Sequence, residues 1–337
     1  MNHDKSKILL HFRYIKYKDT ANAVKVDGKK VIAMSLFGKN AKYSWGAIRN
    51  AQLAPIFFPG WKLRIYVTSR RSKAADVKSW LVPKRILNKL KQLGAELAYV
   101  TTKSIPPFFW RYLVVDDSGV DYFIVRNADS HLSERDASVV SDWLQRQTSN
   151  DSLNALHCIR DHPNHAKMAI VDGLWGGNRN ALRRILGRDM ATLLDTFHSN
   201  GKKSSPVDGY VDLIYQLTKR YRTSSEASFS VLSDIVWPLV SSVAYCHDSM
   251  SCHRWPSAHA FPVERQEKEY IGQKFDEHQE PIVDKNDELL AVAPTQCTNT
   301  TQIVTTTVAT TTPVAVNTTV TVTTTAVKNN STGANTR

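Results

Sequence analysis

Between residues 30 and 125 the chain alternates short β-branched and aromatic runs with longer segments of helical periodicity, and this alternation narrows the fold more than any other feature. The runs at 30–37, 63–67, 97–100 and 122–125 read as buried strands. Between the first two, Ala47, Ile48, Ala51 and Ala54 recur at helical spacing until Pro59-Gly60 stops the pattern. Residues 74–93 form a second helical segment with a break at Pro83. Strand–helix alternation predicts a mostly parallel central sheet flanked by helices, an α/β fold. Right-handed crossovers place every strand's carboxyl end on one edge, where open sheets bind ligands. Gly38, Thr68 and Asn127 should share that edge.

The stretch 120–132 concentrates chemistry there. Its strand ends in Arg126-Asn127-Ala128-Asp129-Ser130, and Ser133-Glu134-Arg135-Asp136 reads as a capping box opening a helix. A carboxylate fixed at a strand end can hold a hard divalent cation, which can bridge a diphosphate. The alternative is a polar turn with a surface Asp. Residues 155–159 form another strand-like run, ending in Arg160-Asp161-His162-Pro163. Asp172-Gly173-Leu174-Trp175-Gly176-Gly177-Asn178 reads as a Gly-rich loop that could bring backbone N–H groups to a ligand under a stacking indole, or as a tight turn over a core Trp. It is not a P-loop. Phe108-Phe109-Trp110-Arg111-Tyr112 is an aromatic cluster expected in the core, and Tyr245-Cys246-His247-Asp248-Ser249 is a further candidate strand end.

At 337 residues core size is not limiting. The division expected is a basic arm over 1–28, one domain over 29–285, and a Thr/Val/Ala-rich tail over 286–337 whose low complexity reads as disordered. The formal charge of +13 favours anionic partners. No nucleic-acid-binding motif accompanies it, so none is expected as a partner. No apolar run approaches the ~20 residues of a membrane span and no signal-peptide core is visible, so a cytoplasmic protein is expected. The four cysteines (Cys158, Cys246, Cys252, Cys297) lack zinc-ligand spacing and are expected as free thiols, with a Cys246–Cys252 pair as the alternative in a secreted chain.

Taken in order, these segments resemble a family. Ser35-Leu36-Phe37-Gly38, the run 43–50 (Y-S-W-G-A-I-R-N), Pro59-Gly60-Trp61, Phe109-Trp110-Arg111-Tyr112, the run 126–132, Ile159-Arg160-Asp161-His162-Pro163, Gly173-Leu174-Trp175-Gly176, Trp237-Pro238, His247-Asp248-Ser249 and Glu269-Tyr270-Ile271-Gly272-Gln273 are similar to GT-A-type glycosyltransferase-like proteins of bacteria and large DNA viruses. The likeness spans about residues 31–277, and order and spacing carry it. It implies a GT-A-like, Rossmann-like fold that binds a nucleotide-sugar donor and transfers the sugar to a glycan or glycoprotein acceptor. In that family a D-x-D-type motif holds Mn²⁺ or Mg²⁺ against the diphosphate. Asp129 takes the second acidic position, but Asn127 stands at the first and His131 replaces an Arg. Asn brings no charge to a metal.

The resemblance then assigns roles. Asp129 would hold the metal, with Arg126 helping at the leaving diphosphate, and His247 would be the later metal or phosphate ligand, or else a surface or core His. Arg49, Asn50, Asn127, Gly173, Trp175 and Gly176 would line the nucleotide-sugar site. Asp161 would be the general base of an inverting enzyme, or a structural carboxylate paired with Arg160 or His162. The second class of function is a GT-A relative, weak or inactive, that binds a nucleotide-sugar or glycan without turnover.

Overall fold

A computed structural model of the chain describes residues 28–69, 78–100, 107–147, 154–186, 231–255 and 257–290. These lie in the first of two compact units, residues 1–300. Residues 1–27 of the expected arm, the tail beyond Leu290 and residues 187–230 fall outside them.

Eight strands form one sheet: β1 (Lys30–Ser35), β2 (Trp61–Thr68), β3 (Glu96–Val100), β4 (Tyr122–Val125), β5 (Leu156–Arg160), β6 (Trp175–Asn178), β7 (Ala244–Asp248) and β8 (Ala258–His259). Their order is β3-β2-β1-β4-β6-β5-β7-β8. Every pairing is parallel except those of β6, which runs antiparallel to both β4 and β5. The mostly parallel α/β sheet expected from the alternation is therefore present.

Both faces of the sheet are covered, which is why its strands are continuous apolar runs rather than alternating ones. On one face Ile32, Met34, Ile65, Ile124 and Ile159 pack beneath α1 (Ala41–Phe57), α2 (Lys84–Gln92) and α3 (Glu134–Gln145). On the other, Val31, Ala33, Phe123, Val125 and Trp175 pack against the 3₁₀ run Pro107–Asp116, which carries Phe109, Trp110 and Tyr112 into the core. The helix start at α3 is as read: Ser133 is the N-cap and its hydroxyl accepts from the Asp136 N–H at 3.2 Å.

Two expectations are corrected. The second half of the Gly-rich segment, Trp175–Asn178, is not a ligand loop but strand β6, and its glycines serve sheet packing. A Cβ on Gly176 would collide with the Phe123 carbonyl, and one on Gly177 with Leu182 and the Ala155 carbonyl. Among the described residues the thiols are not free: Cys158 and Cys246, register partners on β5 and β7, form a disulfide, and Cys252 is disulfide-bonded as well; Cys297 lies outside the described residues. Sequence offers no sign of a pairing 88 residues apart. Among the described residues no helix is long and apolar enough to cross a membrane.

Candidate functional site

A cavity of about 820 Å³ opens at the carboxyl ends of β1 and β4. Ser35 at the end of β1 and Phe37 beyond it border the cavity, as do Asn127, Ala128 and Asp129 after β4. The remaining wall includes Arg111, Asp172, His162, Asp284 and Lys274.

The 127–130 loop is built by one face of α1. Lys42, Gly46 and Asn50 are four residues apart and so lie along one stripe of that helix. Gly46 presses its backbone against Ala128, leaving no room for a Cβ. Buried Asn50 holds the loop with three bonds: its amide donates to the carbonyls of Ala128 (3.3 Å) and Ser130 (2.9 Å) and accepts from the Leu132 N–H (2.9 Å). Lys42 Nζ lies 2.8 Å from Asp129 Oδ2. Burial pulls the Lys42 ammonium down, but the Asp129 hydrogen bond and charge outweigh it, so its pKa lies above the ordinary lysine value.

Asn127 is equally engaged. Its carbonyl accepts from Arg111 Nη1 at 2.6 Å, and its amide donates to the Asp172 carbonyl at 3.3 Å. Arg111 Nη2 and the Tyr112 hydroxyl both donate to Asp172 Oδ1, at 2.5 and 2.6 Å. Arg111 Nε is buried and has no partner among the described residues. Gly173, at φ +82°, closes the group: a Cβ there would run into the Asn127 amide.

Several predicted site residues lie elsewhere or are committed to structure. Arg126 is 2% exposed and forms a fork with Asp136, at 2.9 and 2.7 Å, while Nη1 donates to the Val125 and Trp175 carbonyls. It does not line the cavity. Asp161 is fully buried. It accepts from Arg135 Nε and Nη2 (2.8 Å each), Ser249 Oγ (2.8 Å), Arg265 Nη2 (2.8 Å) and the Ile271 N–H (2.9 Å). Five donors leave no lone pair for an acceptor hydroxyl, and the structural carboxylate is what the chain contains, with Arg135 and Arg265 as partners instead of Arg160 or His162. Trp175 packs edge-on against Tyr112 and Phe123 in the core. His247 is fully buried between His157 (2.9 Å) and Asp142 (3.2 Å) and does not line the cavity; burial lowers its pKa, with Asp142 opposing. Arg49 is partly buried and its pKa is lowered by that burial.

A divalent cation held by Asp129 and His247 therefore does not fit the residues present. Asp129 already faces an ammonium, Asn127 is neutral with both amide ends bonded, and His247 is absent from the wall. A different group could hold a metal: one ligand atom each of His162, Asp284 and Asp287 lie within 4.8 Å of one another. The Asn164 N–H donates to His162 Nδ1 at 3.1 Å, so Nε2 carries the proton and donates to Asp287 Oδ1 at 3.0 Å, and a cation held here would have to displace that proton. Asp287 belongs to the 3₁₀ turn Asp287–Leu290, so packed structure continues past the expected boundary at 286. Sequence reading missed Lys42, Arg111 and Asp172 as site residues. The helical spacing of Lys42, Gly46 and Asn50 was the one available signal.

No family model matches the chain, and no curated protein matches it. Solved structures resemble it distantly. The galactosyltransferase LgtC in complex with donor and acceptor sugar analogues is 9% identical with a TM-score of 0.31, over 54% of this chain and 70% of that one. The M. tuberculosis glucosyl-3-phosphoglycerate synthase is 13% identical with a TM-score of 0.30, over 51% and 67%. The mannosyltransferase PcManGT from Pyrobaculum calidifontis, in complex with GDP-Man and Mn²⁺, is 10% identical with a TM-score of 0.28, over 49% of each chain.

Proposed function

We propose that this chain is a GT-A-type glycosyltransferase that binds a nucleotide-sugar donor in the cavity at the carboxyl edge of β1 and β4 and passes the sugar to a glycan or glycoprotein acceptor. The observation that carries the reading is the 127–130 loop: the segment that the family resemblance marks for the donor diphosphate borders a cavity of about 820 Å³, within the ~300–1,000 Å³ typical of ligand sites. Its partners Asn50, Arg111 and Asp172 fix it in one conformation, and preorganisation of this kind lowers the cost of binding. Asp129 orients the cationic group beside it. The residues that would hold the Mn²⁺ or Mg²⁺ implied by the resemblance are His162, Asp284 and Asp287, where the ion would supply Lewis-acid charge for the transfer step rather than hold the donor at Asp129.

The test is a thermal-shift series of the full chain with UDP-, GDP- and dTDP-sugars, each with Mn²⁺ and with EDTA. Ligand that binds the folded state alone raises the melting temperature by mass action. A shift with one nucleotide class, lost in Gly173→Val, supports the donor site. No shift with any donor in a folded sample sinks it. Release of nucleoside diphosphate with an acceptor present separates a transferase from a binding module.

A further inference from the structure

Three features in and beside the cavity bear on how it could neutralise an anion; Lys42 is not itself a lining residue but stands on Asp129, which is. Asp129 is 3% exposed and its counter-charge is already present in Lys42. A dication placed on Asp129 would meet the Lys42 ammonium within a few ångströms, and like charges at that range in a partly dry site repel strongly. An ammonium carries three N–H donors, and a single contact to Asp129 leaves two for phosphate oxygens. Lys42 also sits in the first turn of the seventeen-residue α1, which contains no acidic residue there, so the helix terminus adds to the positive potential. Independently, Arg111 lines the cavity itself, is 6% exposed, and leaves Nε as a buried donor without a partner among the described residues. A buried unpaired donor is costly, and an anionic oxygen is the acceptor that relieves it best.

We propose that this cavity meets a nucleoside diphosphate with side-chain cations, Lys42 standing on Asp129 in the place of a divalent ion and Arg111 beside it. The proposal rests on the donor-site reading above and names the groups that carry the charge. Binding at Asp129 is then independent of metal, and the Asn at position 127 is consistent with it: a second carboxylate there would compete with Asp172 for Arg111.

The experiment titrates the full-length chain with UDP and GDP, in EDTA and in excess Mn²⁺, and separately with Mn²⁺ alone. Wild-type protein should bind one of the nucleotides equally well in EDTA. Lys42→Met should lose about tenfold or more in EDTA and recover in Mn²⁺, because Asp129 is freed for the ion. Lys42→Met should also take up Mn²⁺ alone, and this uptake should vanish in Lys42→Met/Asp129→Asn; uptake that survives in the double variant belongs to His162, Asp284 and Asp287. Lys42→Arg, which keeps the charge, should bind in EDTA. Wild-type binding that requires Mn²⁺ and is abolished by Asp129→Asn overturns the proposal. If neither nucleotide binds in any condition, the donor-site reading fails on its own. The Mn²⁺ titration still decides the place of Lys42: uptake gained by Lys42→Met supports it, and no gain overturns it.

Discussion

Gly46 of α1 lies directly against the carbonyl of Ala128, backbone on backbone, at the point where the strand end turns into the cavity wall. A helix-interior glycine normally weakens its helix by about 1 kcal/mol relative to alanine. Here that cost brings α1 close enough for Asn50 and Lys42 to reach the loop.

Gly46→Ala should therefore destabilise the protein although it raises helix propensity. The new methyl must push the Ala128 carbonyl away, stretching the Asn50 bonds. We expect a loss of about 1–3 kcal/mol in chemical denaturation, the size of an overpacking defect. A gain in stability would show that α1 can retreat from the loop freely.

Asp161→Asn should cost about 3–5 kcal/mol, because it leaves Arg135 and Arg265 facing a neutral amide in a buried place. The readout is the denaturation midpoint together with activity per folded molecule. A fully stable variant that has lost its activity would restore Asp161 to the role of general base.

Acid should weaken the fold through His131. Burial holds its pKa down to about 4; the Gln279 hydrogen bond and Asp129 oppose this, and Arg49 reinforces it. A depressed folded-state pKa means that its contribution is complete above the unfolded value of about 6.5. It is lost as pH falls toward 4, since the unfolded chain takes the proton first. Each pH unit in that window costs up to about 1.4 kcal/mol. His165, held at about 3 by burial, acts in the same direction, whereas Asp116, pushed up to about 6 by burial, acts in the opposite one. His131→Phe keeps a ring over Phe275 and should flatten the fall in melting temperature between neutral and mildly acid pH. An unchanged slope would exclude His131 as the source.

The Cys158–Cys246 bridge ties β5 to β7 and should contribute about 2–4 kcal/mol. Cys158→Ala or a reductant that breaks the bond should lower the melting temperature accordingly, with peptide mapping under non-reducing conditions as the check. Recovery of both cysteines as thiols from freshly purified native protein would return the chain to the reducing compartment expected from its composition.

The sheet was legible because buried parallel strands are plain apolar runs: β4 begins and ends where periodicity places it, and Ser133 caps α3 as its residue type predicts. The site was legible as a location rather than as a set of roles. Arg126, Asp161 and His247 carry chemistry in sequence, yet each is spent on a structural partner: Asp136 ten residues on, and, from more distant segments, Arg135 with Arg265 and Asp142 with His157. Pairings of that kind depend on which strands adjoin. The insertion of β6 between β4 and β5 is what brings Trp175 to the core, and a Gly-Trp-Gly sequence does not specify it.

Two consecutive residues of α3 face different strands. Asp136 grips Arg126 at the end of β4, and Arg135 grips Asp161 just after β5, so the helix start straddles β6. Strands that share no ladder are thereby joined through one turn of helix. Amide protons on the two sides of β6 should consequently exchange with solvent together, in a single opening event, rather than fraying strand by strand.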